Sequence, residues 1–330
     1  MANNHEQFLD FHTVISITIN KISTLKRNRK ALRDRIRKYY KDNYPDEISP
    51  KFKPQGSFAM ETILEPIKKD GELGVFDLDD GVYFIGAMDN RKSITHYHNR
   101  IYNAVNGHTS QSPIDKDTCV RVEYSDGHHI DLPIYFKEKG DYATPTLAHK
   151  SKGWIDSDPK EFWEWFNKKA KEQPQLRRIV KYLKAWCDYK ESLNTAINMP
   201  SGCILTILAD KFYEESKNRD DLALKNVLVK MYNSLSLKFE CLRPTTPVGE
   251  DLFQSYSDTR KEQFMTRLKS FKEDAERAIN NANPRDACER WQKHLGDRFS
   301  CSTAKDEDEN ENTLHHASEP TILKGNSKFA

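Results

Sequence analysis

The strongest constraint on this chain is residues 76–84, Phe-Asp-Leu-Asp-Asp-Gly-Val-Tyr-Phe, where acids alternate with apolar residues inside a run of strand formers. Strand side chains alternate between faces, so Asp77 and Asp79 project together while Phe76, Leu78, Asp80 and Val82 point the other way. Two carboxylates on one face make a hard-oxygen site suited to Mg²⁺. A third acid is offered by residues 128–136, His-His-Ile-Asp-Leu-Pro-Ile-Tyr-Phe, in which Ile130, Leu132 and Ile134 share a buried face and Asp131 lies opposite. The preceding run, residues 119–124, joins it through Ser125-Asp126-Gly127, and an Asp-Gly pair between alternating segments predicts a hairpin. Asp131 then stands on a strand neighbouring the Asp77/Asp79 pair and facing it.

Upstream lies Gln55-Gly56-Ser57-Phe58-Ala59-Met60. Ser57 is expected to open the first turn of a short helix, where free N–H groups attract phosphate. Gly56 lets the backbone come close, and the Ser57 hydroxyl reaches a β- or γ-phosphate oxygen. Among the residues set aside, Asp80 faces away from the acid pair, His128 and His129 read as surface or packing histidines, and Tyr83, Tyr135 and Trp186 read as core.

The order of these motifs, Gly56-Ser57-Phe58-Ala59-Met60, then Asp77-Leu78-Asp79-Asp80-Gly81-Val82-Tyr83, then Ile130-Asp131-Leu132-Pro133, resembles the polymerase β-type nucleotidyltransferase superfamily. Within it the chain resembles the bacterial cGAS/DncV-like enzymes (CD-NTases) of CBASS anti-phage signalling, from about residue 50 to about residue 300. The resemblance implies an α+β fold with a mixed-sheet nucleotidyltransferase palm, a long N-terminal helix bridging two lobes, and an α-helical C-terminal lobe. It implies a synthase that joins ATP and/or GTP into a cyclic dinucleotide messenger, with release of pyrophosphate. Two Mg²⁺ ions, with Mn²⁺ as substitute, would be held by Asp77, Asp79 and Asp131, and Gln55, Gly56 and Ser57 would meet the nucleotide. The family also places a triphosphate-binding lysine on a helix corresponding to residues 174–189 and a serine at the start of the next helix. Lys181 is the first choice for that lysine, Lys184 the alternate, and Ser201, in a first turn opened by Pro200, the serine. In many relatives ubiquitin-transfer-like enzymes act on the last residue, here Ala330, and the downstream effector meets only the product. The alternatives are another polymerase β-type nucleotidyltransferase, of RNA-tailing or oligoadenylate type, and a catalytically silent nucleotide- or RNA-binding protein. The complete set of three acids argues against silence.

Periodicity divides the rest. Apolar residues step by three and four from Phe8 through Ile15, Ile19, Ile22, Leu25, Leu32, Ile36 and Tyr39, predicting one long amphipathic helix or two in line. Between Lys21 and Lys41 stand ten Lys/Arg and one acid, Asp34. A solvated helix face accounts for that block, and a nucleic-acid partner is compatible with it but not required. A helical stretch is expected around residues 94–105. Asp158-Pro159-Lys160-Glu161 reads as an N-cap, Pro at N1 and Glu at N3, and helices are expected over 174–189, 222–241, 258–281 and 284–295. On this reading residues 1–150 hold the helix and palm, 151–300 the helical lobe, and 301–330 a disordered acidic tail. The six cysteines form no Cys-x-x-Cys pair, so reduced structural thiols are expected and zinc is not. No run approaches the roughly 18 apolar residues of a membrane span, and the N-terminus lacks a signal-peptide pattern. A cytoplasmic location without membrane partners is the expectation.

Overall fold

The computed structural model describes residues 1–69, 72–140 and 142–307. The expectations for a disordered tail over residues 308–330 and for Ala330 lie outside the described residues. The N-terminal segment is two helices, α1 (His5–Ile15) and α2 (Ile19–Asn43). Strand β1 (Lys51–Gln55) leads into the single turn α3 (Gly56–Ala59), then a small hairpin of β2 (Lys68–Lys69) and β3 (Glu72–Leu73), and the long β4 (Phe76–Gly86). Helix α4 (Ile94–Val105) carries the chain across to β5 (Ile114–Asp115), β6 (Cys119–Glu123), β7 (His128–Glu138), β8 (Thr146–His149) and β9 (Gly153–Asp156). The helical lobe comprises α5 (Pro159–Glu172), α6 (Pro174–Leu193), α7 (Gly202–Phe212), α8 (Asp220–Leu237), α9 (Asp258–Asn280) and α10 (Pro284–Leu295).

The sheet runs β1-β4-β7-β6-β5, with β8 and β9 added beside β7. Strands β4 and β7 are parallel and the other pairings antiparallel, which makes the expected mixed sheet. A parallel pair needs a crossover connection, and α4 begins that crossover from β4. The Asp126-Gly127 turn joins β6 to β7 as expected, with Gly127 at φ +85°. Leu78, Val82 and Phe84 on β4 and Ile130, Leu132 and Ile134 on β7 are buried beneath Leu25, Leu32 and Ile36 of α2 and Tyr97 and Ile101 of α4. That face is closed, so function falls to the other.

The N-terminal helix breaks where the two cores diverge. Phe8, Phe11 and Ile15 of α1 are buried in the helical lobe with Tyr182 and Trp186 of α6, whereas α2 packs on the palm. Between them Ser16 is extended and bridges Leu64, and Thr18 caps α2 by accepting from the Lys21 N–H. Ile19, counted in the apolar stripe from sequence, is 80% exposed because it sits at this break. The N-terminal segment therefore contacts both lobes, through two helices and two cores.

Asp158 caps α5, accepting from the N–H groups of Lys160 and Glu161 at 3.0 and 3.2 Å. Strands β8 and β9 carry the palm sheet on to Asp156. At the other end of the lobe, residues 301–307 are packed and not part of a free tail: Cys301 and Ala304 are buried, and Thr303 accepts a hydrogen bond from Gln7. Cys301 also corrects the expectation of reduced thiols. It is bonded to Cys288, the Cα atoms 5.7 Å apart, because the chain folds back from α10 over the intervening residues; sequence separation gave no sign of that return. No helix among the described residues is long and apolar enough to cross a membrane.

Asp80 fastens α2 to the back of β4. It is fully buried, and Arg33 grips both its oxygens, Nε at 2.6 Å from Oδ2 and Nη2 on Oδ1. Removing one partner of such a pair leaves the other charge buried and alone. Arg33→Ala is expected to destabilise the fold by about 3 kcal/mol in urea denaturation, and Arg33→Met with Asp80→Leu to recover most of the loss. A loss below about 0.5 kcal/mol would show the pair to be no stronger than a surface one.

Candidate active site

The register of β4 sets Asp79 beside Gln55 on one side and Asp131 on the other. Asp77 and Asp79 project on the face left open by the palm core, the half-buried positions of an otherwise buried stretch. Immediately after Gln55 the chain turns at Gly56, φ +63°, a left-handed conformation that glycine adopts without cost. A Cβ on Gly56 would overlap the Asp79 carboxylate. Glycine is thus required twice here, for its backbone angle and for the closeness of the turn to the acid.

A cavity of about 540 Å³ opens where this turn meets the helical lobe, lined by Gly56, Ser57, Asp77, Asp79, Lys184 and Asp188 among others. Helix α3 is one turn long, so what it presents is first-turn N–H groups without intrahelical carbonyls and little helix field. Gln55 lines the same cavity; its Nε2 donates to the Tyr135 hydroxyl at 3.3 Å, and its Oε1 is buried without a partner among the described residues.

The two lysines proposed from α6 separate. Three residues of helix turn them about 60° apart. Lys184 enters the cavity, its ammonium donating to the Thr62 carbonyl at 2.8 Å and sensing Asp188, Asp77 and Asp79. Lys181, the first choice from sequence, instead donates to Ser16 at 3.0 Å in the break between α1 and α2 and borders a different cavity. Burial, helped by Arg177 and Lys184, pushes its ammonium down to about 8. Ser201 stands at the start of the next helix, as expected, but on its exposed edge. The helix starts at Gly202, Ser201 is its exposed N-cap, and the cavity wall there is Gly202 and Cys203.

Electrostatically the site is an acidic cluster with too few cations. Burial and the charges of Asp77 and Asp131 push the Asp79 carboxyl up to about 8. Burial raises Asp188 to about 6, against the pull of Lys184 and Arg298. Neither Asp77 nor Asp79 accepts a hydrogen bond from any described residue. Asp131 does: Arg121, directly opposite on β6, holds both its oxygens, Nε to Oδ1 and Nη2 to Oδ2 at 2.7 Å each. Here the structure departs from the expected triad of acids facing one another. Among the described residues no three acidic, imidazole or thiol side chains form a ready metal-ligand set, and the third carboxylate is held in the guanidinium fork. The donor chemistry still fits a hard divalent cation. Asp77 and Asp79 are bare oxygens in an anionic cavity, and Asp131 is one ion-pair exchange away.

His128 and Asp80 are structural, as expected. His128 is buried, paired with Asp126 and stacked on Tyr124 at 4.3 Å. His129 shares the face of Asp131 and is buried with its Nε2 unpartnered among the described residues. Tyr83 and Tyr135 stack on each other in the core at 4.7 Å. Arg121 and Arg243, which also lines the cavity, were not singled out from sequence. Counting back across the Asp126-Gly127 turn would have set Arg121 opposite Asp131.

Comparison with known proteins agrees with this geometry. Residues 50–135, which hold the turn and all three aspartates, match the family described as "Cyclic GMP-AMP synthase DncV-like, nucleotidyltransferase domain". The cyclic GMP-AMP synthase of Escherichia albertii is 25% identical over 235 residues, covering 68% of this chain and 50% of that protein. The c-di-GMP synthase of Roseivirga ehrenbergii is 25% identical over 241 residues, covering 62% and 61%. The chain spans about half the length of the cyclic GMP-AMP synthases it matches. In structure, Vibrio cholerae DncV cyclic AMP-GMP synthase in complex with nonhydrolyzable GTP superposes with a TM-score of 0.75 at 19% identity, over 91% of this chain and 97% of that one; at that identity the likeness shows the fold. By its match over residues 50–135 the chain carries a DncV-like nucleotidyltransferase domain, and with the helical lobe built around that domain it has the fold of Vibrio cholerae DncV.

Proposed function

We propose that this chain is a cyclic dinucleotide synthase that joins ATP and/or GTP with loss of pyrophosphate. The observation that carries the reading is the meeting, in one cavity, of two unpaired strand carboxylates, a glycine-serine turn packed against them and a lysine from the opposite lobe. In each step a ribose hydroxyl forms a bond to an α-phosphorus, the bond to pyrophosphate breaks, and the hydroxyl proton is lost; two such steps close a ring. Mg²⁺, or Mn²⁺ in its place, bound at Asp77 and Asp79 and completed by Asp131, would neutralise the triphosphate and acidify the attacking hydroxyl. The chain's own part is positioning and charge. Gly56 and Ser57 receive phosphate oxygens through backbone N–H and hydroxyl, Lys184 meets them from the other wall, and Gln55 fixes the end of β1 beside Asp79. Lys181 supports the lobe junction, and Ser201 caps α7. The names of the relatives, cyclic GMP-AMP and c-di-GMP synthases, support a ring-closed product. On the same reading the product is a messenger of anti-phage defence in the cytoplasm, where the triphosphates are.

Asp77→Ala with Asp79→Ala is expected to cut phosphatase-resistant product by roughly a thousandfold or more with folding intact, as read by mass analysis of products from labelled triphosphates. Undiminished turnover would remove the metal assignment, and linear or RNA-dependent products would redirect the reading to a tailing or oligoadenylate-type enzyme. Lys184→Ala should raise the apparent KM for triphosphate about tenfold or more, and Lys181→Ala should leave it within about twofold; the reverse result would return the phosphate to Lys181.

Lys181 has its own signature in stability. Its ammonium titrates near 8 in the fold against an ordinary 10.5, so between those values the folded chain binds fewer protons than the unfolded one. Stability conferred at this position is full above 10.5 and is lost as pH falls toward 8. Urea denaturation at several pH values should show wild type gaining on Lys181→Met as pH rises through that window. A difference that does not vary with pH would show a solvated ammonium.

A further inference from the structure

The Arg121–Asp131 pair has a consequence for how the site is completed, and it rests on the metal-dependent reading above. Arg121 and Asp131 face each other across the β6–β7 hairpin on the open side of the sheet, with side-chain exposures of 20% and 12%. Both carboxylate oxygens are engaged by the guanidinium, so Asp131 cannot serve a cation without giving up at least one bond. Asp77 and Asp79 have no such partner. Asp79 lies directly beside Asp131 in the parallel register, so a cation seated on Asp77 and Asp79 stands next to the acid that Arg121 holds. Its charge attracts the carboxylate and repels the guanidinium.

We propose that Arg121 is a positioning residue that keeps Asp131 out of the metal site until a divalent cation on Asp77 and Asp79 draws it away, so that the site assembles in two stages. Without nucleotide, the protein holds one divalent ion well and a second, Asp131-dependent ion poorly. The guanidinium competes for the same two oxygens the second ion needs. Removing its charge therefore favours the ion, whereas a pair that merely braced Asp131 would, when removed, weaken ion binding.

The test is Mn²⁺ titration of the full chain without nucleotide, free Mn²⁺ being followed by electron paramagnetic resonance. Arg121→Gln is expected to bind the second ion roughly tenfold more tightly than wild type, and Arg121→Lys, which keeps the charge but loses the fork, to fall between them. Asp131→Asn placed in the Arg121→Gln chain should abolish the gain. Equal affinities in wild type, Arg121→Gln and Arg121→Lys would overturn the proposal and leave the metal reading standing; weaker binding in both variants would overturn it in favour of a bracing role. Should Arg121→Gln fail to fold, Arg121→Lys alone decides by the direction of its shift. Absence of Mn²⁺ binding in every chain, even with a nonhydrolysable triphosphate present, would overturn the proposal and the metal-dependent function together.

Discussion

Two adjacent parallel strands bring three aspartates to one face of a sheet whose other face is fully buried, and the sheet itself neutralises only one of them, Asp131, through Arg121 on β6. Parallel register sets Asp79 one strand spacing from Asp131, with Asp77 two residues away on the same strand, and burial together with these neighbours pushes the Asp79 carboxyl toward protonation. Much of the surrounding structure answers that problem. Arg121 takes Asp131, Lys184 is drawn from the far lobe, and Gly56 brings polar backbone where any side chain would collide. Asp80, one residue on and facing the opposite way, is dealt with separately by Arg33, which turns an acid in a core position into the tie that seats α2.

The cavity exists because the palm and the helical lobe each supply half of it. The acids and the glycine turn come from the palm, while Lys184, Asp188, Gly202 and Cys203 come from the lobe. Their relative placement is set by what spans both bodies. Helix α1 is buried in one core and α2 in the other, and Lys181 donates to the break between them. A lysine that sequence offers as a phosphate ligand thus sits at the junction, where a buried ammonium with one hydroxyl partner fixes the angle between helices at some cost in desolvation.

What sequence made legible was whatever depends on local period and turn chemistry. The alternation of residues 76–84, the Asp-Gly hairpin, the Asp158 cap and the helices at 94–105, 258–281 and 284–295 all follow from neighbours within a few residues. What it hid depends on the meeting of distant segments. Sequence spacing puts Arg177, Lys181, Lys184 and Asp188 at i, i+4, i+7 and i+11 of one helix, but a helix of 20 residues crosses several environments along its length. Its Arg177 ends on Met60 and Asn167, its Lys181 on Ser16, and its Lys184 and Asp188 in the cavity. The break after Ile15 was hidden for the same reason, since the apolar period continues across it while the cores it serves do not. Cys288 and Cys301 meet only because the chain returns over α10.

On the proposed function, the balance of charge also bears on the form in which a nucleotide would enter. The cavity contains Asp77, Asp79 and Asp188 against Lys184, while Arg243 is already committed to Glu250 at 2.8 Å. A bare triphosphate approaching such a wall meets net repulsion that one partly buried lysine does not offset. A triphosphate carrying its divalent ion presents that cation to the same carboxylates, and the sign of the interaction reverses. Asp79, which burial and then the charges of Asp77 and Asp131 push up to about 8, would be favoured as the carboxylate beside such a cation. On the proposed metal-dependent reading, the acids that burial makes costly are also what would make the cavity selective, favouring the metal complex of a nucleotide over the free anion.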